Sequence, residues 1–224
     1  MTAQILSTKT LNSSQRLLFL DSKATISEYD AISVNLIPFK SPKTVKNAIF
    51  SSQNAMKSMK KHQKELLFGN IQNCFCVGEK TTSILKDNGQ NVVKTASNAS
   101  ELAKFIQKAY ENEDFYFFCS SHRRDELPEV FKMSKNRLFE IKTYEIESIP
   151  VTFKQKVNKI LFFSPSGVQS FIAENYIKDA LAVCIGETTA SEARKHTSNV
   201  IISNETTVES VIEKAIESSK IVNN

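Results

Sequence analysis

Short apolar runs alternate with amphipathic segments along most of the chain. The clearest runs lie at 47–50, 73–77, 114–118, 159–163 and 181–185, and each is followed by small residues or glycine. Apolar residues then recur at the spacing of one helix face. Buried strands that alternate with helices favour parallel sheets covered by helices. The pattern therefore predicts an α/β fold.

The same arrangement occurs twice along the chain. Three strand–turn–helix units of one half each have a similar counterpart in the other half, which is the mark of an internal duplication. The matching pairs are 47–59 with 159–171, 74–93 with 181–201, and 114–131 with 3–20. One set is contiguous, whereas the N-terminal unit of the other set is separated from its partners. The sequence thus predicts one domain inserted into another.

The duplication gives specific domain boundaries. We expect a discontinuous α/β domain at 1–33 plus 152–224 and an inserted α/β domain at 43–136. The chain would cross between them at 34–42 and 137–151, two extended segments that predict a two-stranded β linker. Ligands of parallel sheets bind beyond the carboxyl ends of the strands, so the expected site is the cleft between the domains.

Small hydroxyl residues and glycine occupy most of the predicted strand-to-helix junctions. They could simply cap the following helices, since serine and threonine accept hydrogen bonds from free backbone N–H groups. Alternatively, several helix starts together could bind a ligand with many carboxylates or phosphates. The junctions are Ser7–Thr8–Lys9, Ser51–Ser52–Gln53, Gly78–Glu79–Lys80–Thr81, Cys119–Ser120–Ser121, Ser164–Pro165–Ser166–Gly167 and Gly186–Glu187–Thr188–Thr189.

Composition narrows the possible functions. The net charge of +5 suits an acidic ligand, but basic runs are short and tryptophan is absent, which disfavours nucleic acid. The four cysteines have no zinc-binding spacing and are typical of a reduced, cytoplasmic protein. No signal peptide or membrane-spanning run is predicted. The P-loop, dinucleotide and Gly-x-Ser-x-Gly motifs do not occur, so an enzyme of this sequence would act mainly by positioning a reactive substrate.

Six segments together resemble the uroporphyrinogen-III synthases of the HemD family. They are "AIFSSQNA", "CVGEKTTSIL", "FFCSSHRRDELP", "YEIE", "FFSPSGV" and "IGETTASEAR". The resemblance covers essentially the whole chain. It implies two HemD-like domains, each a parallel sheet flanked by helices, joined by a two-stranded linker.

The resemblance also implies an activity. The substrate would be hydroxymethylbilane, a linear tetrapyrrole rich in carboxylates, and no cofactor would be needed. A lyase of this family removes the terminal hydroxyl as water to give an azafulvene. A spiro pyrrolenine then forms, fragments and recloses, so that ring D is inverted in uroporphyrinogen III. The resemblance further implies a monomer with a transient contact to hydroxymethylbilane synthase.

Site residues are carried over by matching motifs. The functional tyrosine of the family falls at Tyr144, where a phenol could donate a proton to the departing hydroxyl; packing in the linker is the alternative. Three departures weaken individual assignments, because Gln53–Asn54 replace a usual Pro-Arg, Lys9 replaces a usual arginine and Ser120 replaces a usual glycine. The expected substrate-binding residues are Lys9, Ser51, Ser52, Thr81, Ser120, Arg124, Ser164, Ser166, Gly167, Thr188 and Thr189.

Two other functions fit the same pattern. A non-catalytic two-domain protein that binds a polyanion or a tetrapyrrole would have the same domains and junctions. So would an inactive regulatory module of tetrapyrrole synthesis. Formation of isomer III from hydroxymethylbilane separates the enzyme from both alternatives.

Overall fold

The computed structural model describes residues 3–22, 24–62, 69–121 and 126–220. In chain order its elements are β1 (Ala3–Ser7), α1 (Ser13–Leu17), β2 (Ala24–Glu28), β3 (Ile32–Leu36), β4 (Val45–Phe50), α2 (Gln53–His62), β5 (Ile71–Val77), α3 (Glu79–Asp87), β6 (Val92–Ala96), α4 (Ala99–Ala109), β7 (Asp114–Ser120), α5 (Glu126–Lys132), β8 (Arg137–Ser148), β9 (Lys159–Phe162), α6 (Pro165–Ile172), β10 (Leu181–Cys184), α7 (Glu187–Ala193), β11 (Val200–Ile202) and α8 (Val208–Lys220). They form two compact units, Met1–Ser33 with Glu147–Asn224, and Val34–Ile146.

The first unit contains a parallel sheet with the strand order β11-β10-β9-β1-β2. Successive residues of β9 point to opposite faces, as the period of a strand requires. Ile160 and Phe162 pack with Val168 and Phe171 of α6. Leu161 lies on the other face, in a cluster with residues of α8. Helices therefore cover both faces, which explains why the strand reads as a continuous apolar run.

The second unit contains a sheet with the strand order β3-β8-β7-β4-β5-β6. Strands β4 to β8 pair in parallel. The segments that contain β3 and β8 run in opposite directions, because Ile149 N–H donates to Ala31 O, whereas Ile37 N–H donates to Thr143 O. The sheet is consequently mixed, with one antiparallel edge.

Strand β8 differs from the predicted linker segment at 137–151. It is one strand of 12 residues that pairs with β7 from Asp114–Arg137 onward, so its first half belongs to the sheet of the second unit. Ile141 and Tyr144 bury their side chains against this sheet. That apolar contact is the physical reason why the segment joins the sheet.

The strand orders confirm the duplication. In the first sheet, β1 and β2 lie beside β9, on the side away from β10 and β11. In the second sheet, β7 and β8 lie beside β4 in the same way, on the side away from β5 and β6. Strand β2 was not predicted as a separate strand. It is short, lies at the edge of its sheet and is only half-buried, so its apolar pattern is weak.

Three general features of the described residues concern their cysteines, their helices and their potential metal ligands. All four cysteines are free and buried. Burial raises the pKa of Cys74 and of Cys184 to about 12, so neither is a thiolate nucleophile at neutral pH. Among the described parts of the chain, we find no helix long and apolar enough to cross a membrane. No group of three or more potential metal ligands occurs in those parts either.

Candidate functional site

In the second unit, predicted site residues meet at the carboxyl ends of β4 and β7. Ser51 and Ser52 follow β4, and Ser120 ends β7, its neighbour in the sheet. From β4 the chain continues through α2 to β5 on one side, whereas β7 lies on the other side. Such a reversal of strand order opens a crevice in which ligands of α/β sheets bind. The sheet therefore places these serines at its favoured binding position.

Tyr144 lies on β8, which is adjacent to β7. Its side chain is 5% exposed and packs in a cluster with Phe50, Met56 and Phe118. The Ser52 side chain lies close enough to its hydroxyl to interact with it. Burial raises the Tyr144 pKa, the nearby Ser52 side chain lowers it, and Cys119 raises it slightly, with a raised pKa as the net result. The phenol thus keeps its proton at neutral pH and can act as a donor.

Ser52 has a second structural role. Its Oγ accepts a hydrogen bond of 3.2 Å from the backbone N–H of Asn54 in the first turn of α2. The same hydroxyl group therefore caps a helix start and contacts the Tyr144 phenol. Gln53 and Asn54 are half-buried at this helix start. They are the two residues expected to replace the usual Pro-Arg of the family.

Thr81 lies in the first turn of α3 and is buried. Gly78 precedes the helix with φ at +82°, a conformation that favours glycine, and no side chain caps this helix start. Thr82 Oγ1 donates to Gly78 O at 3.2 Å and lies 2.8 Å from Thr95 Oγ1 of β6. These contacts hold the helix start against the sheet. Sequence reasoning missed both Thr82 and Thr95. The only signal for Thr82 was its place beside Thr81, and Thr95 had none.

In the first unit, a second group forms at the ends of β1 and β9, which are neighbours at a comparable reversal of strand order. Ser164 caps α6, since its Oγ accepts from the Gly167 N–H at 3.0 Å. A Cβ at position 167 would lie 3.3 Å from Ser164 Oγ and 3.5 Å from Thr8 Oγ1. A side chain at position 167 would therefore crowd the hydroxyl of Ser164. Thr8 is buried and donates to Leu161 O at 2.7 Å, yet the predicted site did not include it.

The remaining predicted residues differ in accessibility. Lys9 is exposed, and Ser166 is half-buried in α6. Thr188 is exposed, whereas Thr189 is buried and its N–H donates to Gly186 O at 3.1 Å. The two threonines of this pair are therefore not equivalent. Arg124 lies outside the described residues.

Comparison with known proteins identifies the family. The family described as "Uroporphyrinogen-III synthase HemD" matches residues 25–213. No curated protein matches the chain in a direct sequence comparison.

Solved structures share the fold. A uroporphyrinogen-III synthetase from Helicobacter pylori is 17% identical with a TM-score of 0.66, over 97% of this chain and 100% of the other. A mutant uroporphyrinogen-III synthase from Thermus thermophilus is 11% identical with a TM-score of 0.74, over 98% of this chain and 100% of the other. At these identities the likeness concerns the fold alone, whereas the family match covers most of the sequence. The chain therefore belongs to the uroporphyrinogen-III synthase HemD family.

Proposed function

We propose that this chain cyclises hydroxymethylbilane to uroporphyrinogen III, with inversion of ring D and release of one water. The family match over residues 25–213 carries the proposal. The structure supports it through the neighbouring side chains of Tyr144 and Ser52 beside the carboxyl ends of β4 and β7. As a lyase of tetrapyrrole and haem synthesis, the enzyme acts on a small tetrapyrrole substrate.

The first step needs a proton donor. The terminal hydroxyl of the substrate leaves as water once it is protonated, and the electron pair of the pyrrole nitrogen then forms an azafulvenium ion, which becomes the azafulvene when that nitrogen loses its proton. Tyr144 suits this role because burial raises the pKa of its hydroxyl and thereby keeps the proton in place at neutral pH. Ser52 lies next to the phenol and is itself only half-buried. Its hydroxyl therefore lies between the buried hydroxyl of Tyr144 and a more accessible part of the protein.

Backbone groups are the proposed partners of the substrate carboxylates. No side-chain cap is made at Gly78 before α3 or at Gly186 before α7. Free N–H groups and the positive end of the helix dipole attract anions at such positions. In the second unit, the residues proposed to bind or orient the substrate are Ser51, Thr81, Ser120 and Arg124. In the first unit, they are Lys9, Ser164, Ser166, Gly167, Thr188 and Thr189.

Isomer analysis tests the proposal. Purified protein is supplied with hydroxymethylbilane and nothing else, and the products are oxidised and separated as isomers I and III. We expect isomer III to dominate, because unassisted closure gives mainly isomer I. A product mixture identical to the unassisted one would overturn the proposal, and ligand binding without closure would support a binding protein instead.

The setting of the enzyme is part of the same proposal. We place it in the cytoplasm as a monomer that takes hydroxymethylbilane from the synthase by a transient contact, since delay favours isomer I. Sedimentation of the protein alone and with that synthase tests both statements. A stable oligomer would contradict the first, and a mixture with the synthase in which each protein sediments as it does alone would contradict the second.

A further inference from the structure

Strand β8 contains one residue more than its partner β7 at the point where the tyrosine is presented. Cys119 pairs with Lys142, but the next residue, Ser120, pairs with Tyr144. Thr143 is thus the extra residue of a β-bulge. Bulges of this kind turn the following side chain to the other face of a sheet, and they are frequent beside active sites.

The hydrophobic clusters independently record this change of face. In a regular strand, residues three apart point to opposite faces. Ile141 and Tyr144 nevertheless belong to the same cluster, together with Phe50 and Phe118. Leu138, which is also three residues from Ile141, lies on the opposite face with Phe117. The side-chain alternation is therefore regular before the bulge and reversed after it.

The bulge decides which residues Tyr144 can reach. With it, the ring lies on the face covered by α2, where Met56 and the hydroxyl of Ser52 are found. If Thr143 were instead paired in regular alternation, the ring would lie on the face of Leu138, against the cluster that contains Leu102 and Leu127. The approach of Tyr144 to Ser52 therefore depends on Thr143 staying outside the regular pairing with β7.

Thr143 is held by contacts on both sides. Its Oγ1 donates to Cys119 O at 3.2 Å, at the pairing position just before the register shift. Its own carbonyl accepts from Ile37 N–H at 3.0 Å, from the segment on the other side of β8. The Thr143 side chain is fully buried. A hydroxyl at this position therefore satisfies a buried carbonyl and secures the bulge at once.

We propose that Thr143 is a positioning residue, which fixes the β8 bulge and thereby aims the Tyr144 hydroxyl at Ser52. Its effect on catalysis rests on the proposed function, but its effect on the Ser52–Tyr144 contact does not. The two parts are tested separately, so that failure of one is distinguishable from failure of the other.

A spectroscopic cycle tests the contact without turnover. The protein is labelled with [ζ-¹³C]tyrosine, and the Tyr144 resonance is assigned by its loss in Tyr144→Phe. In wild type, Ser52→Ala should shift this resonance. In Thr143→Val, which keeps the shape and removes the hydroxyl, Ser52→Ala should no longer shift it, and Thr143→Ser should restore the response. An equal response to Ser52→Ala in the wild-type and Thr143→Val backgrounds would overturn the proposal.

Turnover tests the consequence for catalysis. Since a positioned proton donor contributes about 100-fold or more, we expect Thr143→Val to lower kcat by about tenfold, with KM changed about twofold at most, and Thr143→Ser to recover most of the loss. In a Tyr144→Phe background, Thr143→Val should cause no further loss. An equal loss in both backgrounds, or wild-type kcat in Thr143→Val, would contradict the positioning role. Absence of isomer III from wild type would instead contradict the proposed function.

A control separates positioning from general destabilisation. Asn136→Ala removes a buried side chain just before β8, where Nδ2 donates to Tyr110 O at 2.7 Å and Oδ1 accepts from Glu113 N–H at 3.0 Å. This variant should lose stability and keep both kcat and the Tyr144 resonance. Should Thr143→Val fail to fold, Thr143→Ala removes the same hydroxyl with a smaller side chain and takes its place in both experiments.

Discussion

The Ser52 side chain lies beside the hydroxyl of Tyr144, close enough to lower the pKa of that hydroxyl. One residue follows β4 and the other lies on β8, so the contact exists only when both strands flank β7 in the correct register. The ring of Tyr144 is simultaneously part of an apolar core. Core packing and a polar contact are thus combined in one side chain, which explains why both interpretations of Tyr144 were reasonable from the sequence.

Tyr144→Phe should reduce turnover far more than stability. The substitution keeps the ring in its core position and removes only the hydroxyl. We expect kcat to fall by about 100-fold, as for a lost general acid, and the free energy of unfolding to change by about 1 kcal/mol. Single-turnover formation of isomer III and urea unfolding measure the two effects.

Tyr116→Phe is the matched control. Tyr116 lies on β7 of the same sheet and stacks on Phe139 with ring centroids 5.1 Å apart. The same atom is removed, but no site role is assigned to this residue. Its kcat should equal that of wild type, and a loss comparable to that of Tyr144→Phe would exclude a specific role for Tyr144.

The contribution of Tyr144 to turnover should not change with pH between neutrality and its raised pKa. A general acid acts in its protonated form, and burial raises the Tyr144 pKa above its usual value of about 10. The contribution of Tyr144 is therefore present at all lower pH values and is lost only as pH rises through the raised pKa. Comparison of the kcat–pH profiles of wild type and Tyr144→Phe isolates this loss of activity at high pH. A Tyr144-dependent fall between about pH 7 and 9 would contradict the assignment.

The duplicated strand–helix pattern was predictable because it depends on local properties. Apolar runs, Gly-Glu-Thr segments and helical spacing repeat along the chain, and the strand orders of both sheets agree with them. Ser164 as a helix cap likewise follows from neighbouring residues. These features need no knowledge of distant contacts.

Other parts of the site depend on contacts between distant residues. Thr8 meets Gly167 only because β1 and β9 are neighbours. The apolar alternation of "EIKTYEIE" slips by one residue between Ile141 and Tyr144, but the sequence alone does not distinguish a bulge from the end of a strand. Membership of Tyr144 in the site could be inferred from a family motif, but its orientation could not.

Gly167→Ala should disturb the Ser164 cap. The new Cβ would lie 3.3 Å from Ser164 Oγ, which is closer than an ordinary contact. The loss of a helix cap costs about 1 kcal/mol, and the greater helix propensity of alanine offsets part of it. In a Ser164→Ala background the close contact is absent, so Gly167→Ala should become neutral or stabilising. Equal effects in both backgrounds, measured by urea unfolding, would show that the contact is not the cause.

Tyr29→Phe should stabilise the protein. The Tyr29 hydroxyl is buried without a hydrogen-bond partner among the described residues, and the ring lies 4.9 Å from that of Phe153. Removal of an unpaired buried hydroxyl is expected to gain about 1 kcal/mol. The gain should appear as a higher urea midpoint with an unchanged slope, and a lower midpoint would indicate a hidden partner.

The same residue should contribute to alkaline unfolding. Burial raises the Tyr29 pKa to about 12, so the folded state holds this proton more tightly than the unfolded state. The resulting stability is complete below the unfolded pKa of about 10 and is lost as pH rises toward the folded value. Tyr29→Phe removes this contribution, and its advantage in the urea midpoint should therefore widen above about pH 10.

Lys159 should anchor α8 through its buried ammonium group. Nζ donates to Ala215 O and, at 2.8 Å, to Ser218 Oγ, both near the carboxyl end of the helix. Lys159→Met keeps the apolar stem and removes these bonds, and the expected loss is about 1–3 kcal/mol in the free energy of unfolding. Lys195→Met, which removes an exposed lysine paired with Glu192, is the control and should change stability by less than about 0.5 kcal/mol.

The pH dependence of the two lysine variants distinguishes this anchor from simple packing. Burial lowers the Lys159 pKa, so the folded state releases this proton more readily than the unfolded state. Stability from this group therefore rises as pH increases from the lowered folded pKa toward the unfolded value of about 10.4. Wild type and Lys195→Met should share that rise, and Lys159→Met should lack it. Parallel stability–pH curves for wild type and Lys159→Met would mean that Lys159 does not titrate differently in the two states.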